Sequence, residues 1–182
     1  VVCFERNESK ELKSLKHLAQ WSYQFTPSVS LEPPNSLLLN ISGCLKLFGG
    51  LRNLKNTIQR QLNAQGYTVM VGVNGTPLAA LCSAAAILND NTGDVRRSLL
   101  NVPTHQLHID DLTINQLQQI GINRCGQLFA LPVDGLNRRF GTKLTNYLDR
   151  LIGIQPDPRK FITHKPAFAS EIPFLTDVSD LN

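Results

Sequence analysis

The clearest chemical signal in the sequence is Leu117-Gln118-Gln119-Ile120-Gly121-Ile122-Asn123-Arg124-Cys125-Gly126-Gln127-Leu128. Two helical stretches meet there at a tight turn. Gly121 supplies the exit from the first, and Gly126 begins the second without a side chain. Such a helix–hairpin–helix turn aims backbone N–H groups of the second helix outward, where the helix dipole also favours an anion. A DNA phosphate is the matching ligand, which makes Gly121, Asn123, Arg124 and Gly126 expected contacts. The competing reading is a glycine-ended helical hairpin that merely packs. Arg138-Arg139-Phe140-Gly141-Thr142-Lys143 repeats the arrangement with three cations around a glycine. Arg138, Arg139, Gly141, Thr142 and Lys143 form a second expected set, whose grip would weaken with salt through counterion release. A solvated helix end would look the same.

Groupings for catalysis are thin. His105 and His108 are three apart, but only Asp110-Asp111 lie nearby, and these read as caps ahead of Leu112 and Ile114. No Ser/His/Asp or Cys/His arrangement has a recognisable context. Gly72-Val73-Asn74-Gly75-Thr76 resembles a phosphate loop loosely, without its lysine or remaining glycine spacing. Cys3, Cys44, Cys82 and Cys125 lie far apart with no CxxC pair, so neither a zinc site nor a disulfide framework is expected, and a cytoplasmic location is.

The elements that position these residues follow from periodicity. Residues 9–25 read as an amphipathic helix capped by Asn7 or Ser9 and ended by Pro27. Two short strands, 28–31 and 37–42, flank the turn signal Pro33-Pro34-Asn35, and the continuous Leu37-Leu38-Leu39 suits a strand buried on both faces. A helix over 51–64 puts Leu54, Ile58 and Leu62 inward and closes at Gly66; residues 67–73 read as a strand. Thr76-Pro77 opens an alanine-rich helix reaching Leu88. After a polar boundary near Gly93 come only short helices, 113–120, 126–131, 133–140 and 142–152, which must pack on one another. A turn at Gln155-Pro156-Asp157-Pro158 leads to a tether, and 168–175 could run extended. The whole is an α+β layer followed by a small helical bundle.

Composition bounds the function. The 182 residues are 42% hydrophobic and 18% charged with net charge +4, which excludes disorder. No apolar run approaches the roughly 20 residues of a membrane helix. Residues 124–165 hold eight basic residues against three acids, a footprint for polyanions, whereas residues 33–89 hold no Asp or Glu at all. The opening Val1-Val2 and the acid-containing tail suggest a fragment of a longer protein.

Leu37-Leu38-Leu39-Asn40-Ile41-Ser42-Gly43-Cys44-Leu45-Lys46-Leu47-Phe48-Gly49-Gly50 resembles the palm segment of the ImuB-like group of Y-family DNA polymerase homologues, bacterial proteins associated with damage-induced mutagenesis. Leu131-Pro132 through Arg138-Arg139-Phe140-Gly141 resembles that group's thumb, and the likeness spans residues 9–174. The resemblance implies the later part of a palm domain over 1–93, a helix–hairpin–helix thumb over 94–165, and a linker with the start of a little-finger domain over 166–182. It also implies an inactive site. The Asp-Glu pair of active relatives falls on Asn35 and Ser36, a further aspartate on Asn40, and a triphosphate-approaching lysine on Leu81. Neutral Asn and Ser replace carboxylates poorly around hard divalent cations, and two-metal nucleotidyl transfer needs anionic oxygens.

The expectation is therefore a non-enzymatic scaffold of translesion synthesis that binds DNA backbone and needs no cofactor. By resemblance its partners include the sliding clamp, a recombinase and an error-prone polymerase. Gln106-Leu107-His108-Ile109 faintly resembles a clamp-binding peptide. The alternatives are an active polymerase using Mg2+ held by upstream carboxylates, and a helix–hairpin–helix module that docks on protein.

Overall fold

Asn7 begins the first helix through its short amide, whose Oδ1 accepts the Lys10 N–H at 3.0 Å. Helix α1, Glu8–Ser22, buries Leu15 and Ala19 one turn apart and leaves its lysines in water. The computed structural model describes residues 7–86 and 93–163. The expected tail segment at 168–175, the end of the alanine-rich helix at 87–88, and Cys3 lie outside them.

Strand β1, Val29–Glu32, pairs antiparallel with β2, Ser36–Leu39, in the register Val29 with Leu39 and Glu32 with Ser36. The turn between them carries a cis Pro33-Pro34 bond. Helix α1 packs on this hairpin, and Phe25 closes the junction between Trp21 and Phe48 with ring centroids 5.0 and 5.6 Å away. Leu37, Leu38 and Leu39 are half-buried rather than buried on both faces, because a hairpin flanked by α1 and one further helix is only partly covered.

After a 3-10 turn at Leu45–Phe48, helix α2, Leu51–Ala64, turns Leu54 and Leu62 inward, with Gly66 left-handed beyond its end. Residues 67–73 do not form the expected strand. Exposure alternates from Tyr67 to Val71 as a strand's would, but no backbone ladder partner lies beside them among the described residues. β-structure needs such a neighbour as much as β-branched residues. Helix α3, Pro77–Ala85, has the expected start, with Pro77 in the first turn and Thr76 Oγ1 accepting the Ala79 N–H at 3.2 Å.

The short helices follow: α4, Val95–Ser98; α5, Asp111–Gln119; α6, Cys125–Phe129; α7, Val133–Phe140; and α8, Thr142–Ile152. Only α4 goes beyond the expected set. Leu117, Leu128, Leu136, Leu144 and Leu151 fill one core, and α3 contributes Leu78, Ala79 and Cys82 to it. Tyr147 pins the centre: its hydroxyl accepts the His108 N–H at 3.1 Å and lies 3.9 Å from Cys82 Sγ. The chain then returns to the hairpin. Ile162 N–H donates to the Val29 carbonyl at 2.8 Å, Phe161 bridges Ser30, and the Tyr23 hydroxyl donates to the Ile162 carbonyl.

Burial pushes the Cys82 thiol up to about 11, against a smaller lowering by its Tyr147 contact, and burial with nearby Cys82 pushes Cys125 up to about 12. In the unfolded chain these thiols ionise from about pH 9, so there the native state holds protons the unfolded state releases. Stability should fall from about pH 9 upward, through 11 to 12. Urea midpoints at pH 8 and 10.5 check this, with Cys125→Ala losing part of the drop. Half-buried Cys44 should react with a thiol reagent in the native protein, whereas Cys82 and Cys125 should not.

Candidate nucleic-acid interface

At the α5–α6 turn, Gly121 takes φ +80°, and the Gly121 and Ile122 N–H groups return to the carbonyls of Gln118 and Leu117 at 2.9 Å each. The turn has the expected shape, but its donors are not free. Gln127 Oε1 accepts from the N–H groups of both Asn123 and Arg124, at 2.9 and 3.1 Å. Cys125 donates to the Val102 carbonyl and Gly126 to that of Leu100, each at 2.9 Å. The expectation of outward-facing N–H groups at Asn123, Arg124 and Gly126 is therefore corrected: the loop over 100–102 and the Gln127 side chain consume them. Gly126 has a packing reason instead, since a Cβ there would stand 2.9 Å from the Leu100 carbonyl oxygen. What this turn offers an anion is the exposed Arg124 guanidinium, whose Nη1 lies 3.4 Å from Asn101 Oδ1. Gln127 was readable in advance, because a glutamine three positions after a helix start is a capping signal.

The α7–α8 turn differs. Gly141, at φ +76° and ψ 169°, occupies backbone space that is essentially glycine's alone, and it caps α8 without a side chain. The N–H groups of Thr142 and Lys143 meet no acceptor among the described residues. Arg138, Arg139, Thr142 and Lys143 are all exposed around them, with the Arg139 guanidinium 5.7 Å from the Phe140 ring centre. The turn is held from beneath. Thr145 Oγ1 donates to Asn137 Oδ1 at 2.6 Å, joining the two helices, while Leu136 and Leu144 enter the core. Asp110, capping α5, is held below the usual carboxylate range by the Thr113 N–H and hydroxyl, with a smaller contribution from nearby Lys143. Free donors, positive dipole and cations thus converge at one exposed corner.

Asn35 is exposed at the hairpin tip and Ser36 opens β2, its Oγ 3.2 Å from Asn35 Oδ1. Asn40 lies past the other end of β2, where its Oδ1 accepts the Ser42 hydroxyl at 2.8 Å and N–H at 3.2 Å. Leu81 is half-buried in α3, the helix packed against β2. The cross-strand partner of Ser36 is Glu32, a carboxylate that sequence reasoning passed over. Arg159 Nη1 holds it at 2.8 Å, and Arg159 Nη2 holds Asp157 at 2.6 Å. A Mg2+ pair does not fit this donor set: the hairpin tip offers neutral oxygens, and Glu32 and Asp157, the carboxylates that meet beside it, both already face the Arg159 guanidinium. Among the described residues no group of three or more His, Cys, Asp or Glu is arranged to hold a metal. His105 and His108 are not joined by ligands, and buried Leu107 keeps the 106–109 segment out of reach as a linear peptide.

Arg159, Glu32 and Asp157 have side chains only 19%, 17% and 9% exposed, so removing the arginine strands two carboxylates in a poorly hydrated place. Arg159→Ala should cost about 2 kcal/mol, measured by urea unfolding.

No family model matches the chain. Protein ImuB of Caulobacter vibrioides strain NA1000 / CB15N is 24% identical over 182 positions, covering 98% of this chain and 40% of ImuB. ImuB of strain ATCC 19089 / CIP 103742 / CB 15 gives the same figures. The crystal structure of DinB from Sulfolobus solfataricus superposes with a TM-score of 0.67 at 15% identity, over 88% of this chain and 50% of DinB. The chain is similar to ImuB, and its fold is the one seen in DinB. It spans 40% of the length of the ImuB proteins it matches. Among the described residues no helix is long and apolar enough to cross a membrane.

Proposed function

We propose that this chain is the DNA-holding part of a non-catalytic Y-family homologue that scaffolds translesion synthesis in the bacterial damage response. The α7–α8 turn grips backbone phosphates without reading bases, through the Thr142 and Lys143 N–H groups and the side chains of Arg138, Arg139 and Lys143. Arg124 adds a charge contact from the α5–α6 turn. In this reading residues 1–93 are palm, 94–165 thumb, and 166–182 lead into a little finger. Partners of the kind the resemblance implies, a sliding clamp, a recombinase and an active error-prone polymerase, assemble on the platform in the cytoplasm.

The observation that carries the reading is the hairpin tip, where Asn35 and Ser36 stand beside a Glu32 already paired with Arg159. Phosphoryl transfer needs carboxylates free to clamp metal ions, and this tip supplies none. Primer extension by the full-length protein, with Mg2+ or Mn2+, should yield no product above background. Robust incorporation abolished by altering Asn35 or Ser36 would overturn the reading in favour of a polymerase completed by upstream carboxylates.

A further inference from the structure

Helix α2 buries Leu54 and Leu62 on one side and turns Arg52, Asn53, Asn56, Arg60 and Asn63 to the other, all exposed. At the helical repeat these five lie in one band opposite the leucines. A shallow open groove of about 580 Å³ runs along Asn53, Asn56, Arg60 and Asn63, with Thr57 and Gln59 on its flanks, and Arg52 stands one residue before Asn53, outside its lining.

Charge, hydrogen bonding and shape together set the chemistry of an occupant. Residues 33–89 contain no carboxylate, so Arg52 and Arg60 have no acid on their own helix or anywhere in the surrounding stretch of chain. Hence the occupant is acidic. Asn56, Gln59 and Asn63 each present donors and an acceptor, whereas Asn53 Nδ2 already donates to the Gly49 carbonyl at 3.1 Å. Phosphates would use only the donors and leave amide oxygens facing anions, whereas a peptide main chain offers N–H and C=O in alternation. The band holds no aromatic ring on which a base could stack, and no apolar anchor for a helix lying in a groove. An extended peptide remains.

We propose that the outer face of α2 binds an extended acidic peptide of a partner protein, with Arg52 and Arg60 pairing to its carboxylates and Asn56, Gln59 and Asn63 bonding its main chain. Spacing sharpens the assignment. Eight residues of helix separate the arginines by about 12 Å. Four residues of extended chain span about 13 Å and return side chains to the same face. The peptide therefore carries acids four positions apart. Acids three apart point to opposite faces.

The test uses the full chain, labelled with 15N, and follows the side-chain amide resonances of Asn56, Gln59 and Asn63. The probes are two serine- and threonine-based peptides, with glutamates four or three positions apart, and a 12-nucleotide single-stranded DNA. The four-spaced peptide should shift these resonances saturably, with at least fivefold higher affinity than the three-spaced one. Arg52→Gln with Arg60→Gln, both exposed and conservative for folding, should weaken it about tenfold. Arg138→Ala with Lys143→Ala should leave it unchanged, which keeps this proposal separable from DNA binding at the α7–α8 turn. Equal binding of the two peptides, displacement by the DNA, or indifference to the arginine changes would each overturn it.

Discussion

Gly72→Val should lower the melting temperature by about 10 °C. A Cβ at position 72 would stand 2.2 Å from the Ala84 nitrogen and 2.7 Å from the Ser83 carbonyl carbon. Both are helix backbone and cannot swing aside like a side-chain tip. Relief requires the segment over 67–74 to lift from α3. That motion would pull on Asn74, whose Nδ2 spans Ser83 Oγ at 3.0 Å and Ser98 Oγ at 2.9 Å. Overpacking of this kind costs about 3 kcal/mol or more. Gly43→Ala is the matched control, since nothing lies within 4 Å of a Cβ there, and it should change stability by less than about 0.5 kcal/mol. Thermal melts followed by circular dichroism separate the two. Equal melting temperatures would show that 67–74 does not press on α3.

Arg138→Ala combined with Lys143→Ala should weaken duplex DNA binding at least tenfold near 0.1 M salt and flatten the salt dependence. Each lost phosphate contact removes about one unit from the slope of log affinity against log salt, so the pair removes about two. Both side chains are exposed, so folding should be untouched and the change should appear alike on unrelated DNA sequences. Binding measured at several salt concentrations gives the slope directly. An unchanged slope would take these side chains out of the interface and favour a turn that docks on protein.

Local chemistry made much of this architecture readable from the residues. Asn7, Thr76 and Asp110 announce helix starts because a short side-chain oxygen three residues before a free N–H has one obvious use. Gly66, Gly121, Gly141 and Gly153 mark stops where the backbone goes left-handed or beyond. The resemblance to the ImuB-like group was legible too, and the matches to ImuB and DinB accord with it. Matters decided by distant segments were not legible. The α5–α6 donors are spent on carbonyls of Leu100 and Val102, more than 20 residues earlier, and no turn motif reveals that. The Glu32–Arg159 pair joins positions 127 apart. Residues 67–73 have the composition of a strand, yet pairing belongs to two segments at once, and none adjoins them among the described residues.

The return of the chain to β1 has a mechanical consequence. Polypeptide beyond Thr163 sets out from the edge of the hairpin, not from the end of α8. A load applied to that end bears first on the Ile162–Val29 hydrogen bond, the Phe161–Ser30 bridge and the Arg159 fork, and reaches the helical bundle only after these let go. The hairpin thus takes such a load before the α7–α8 turn does.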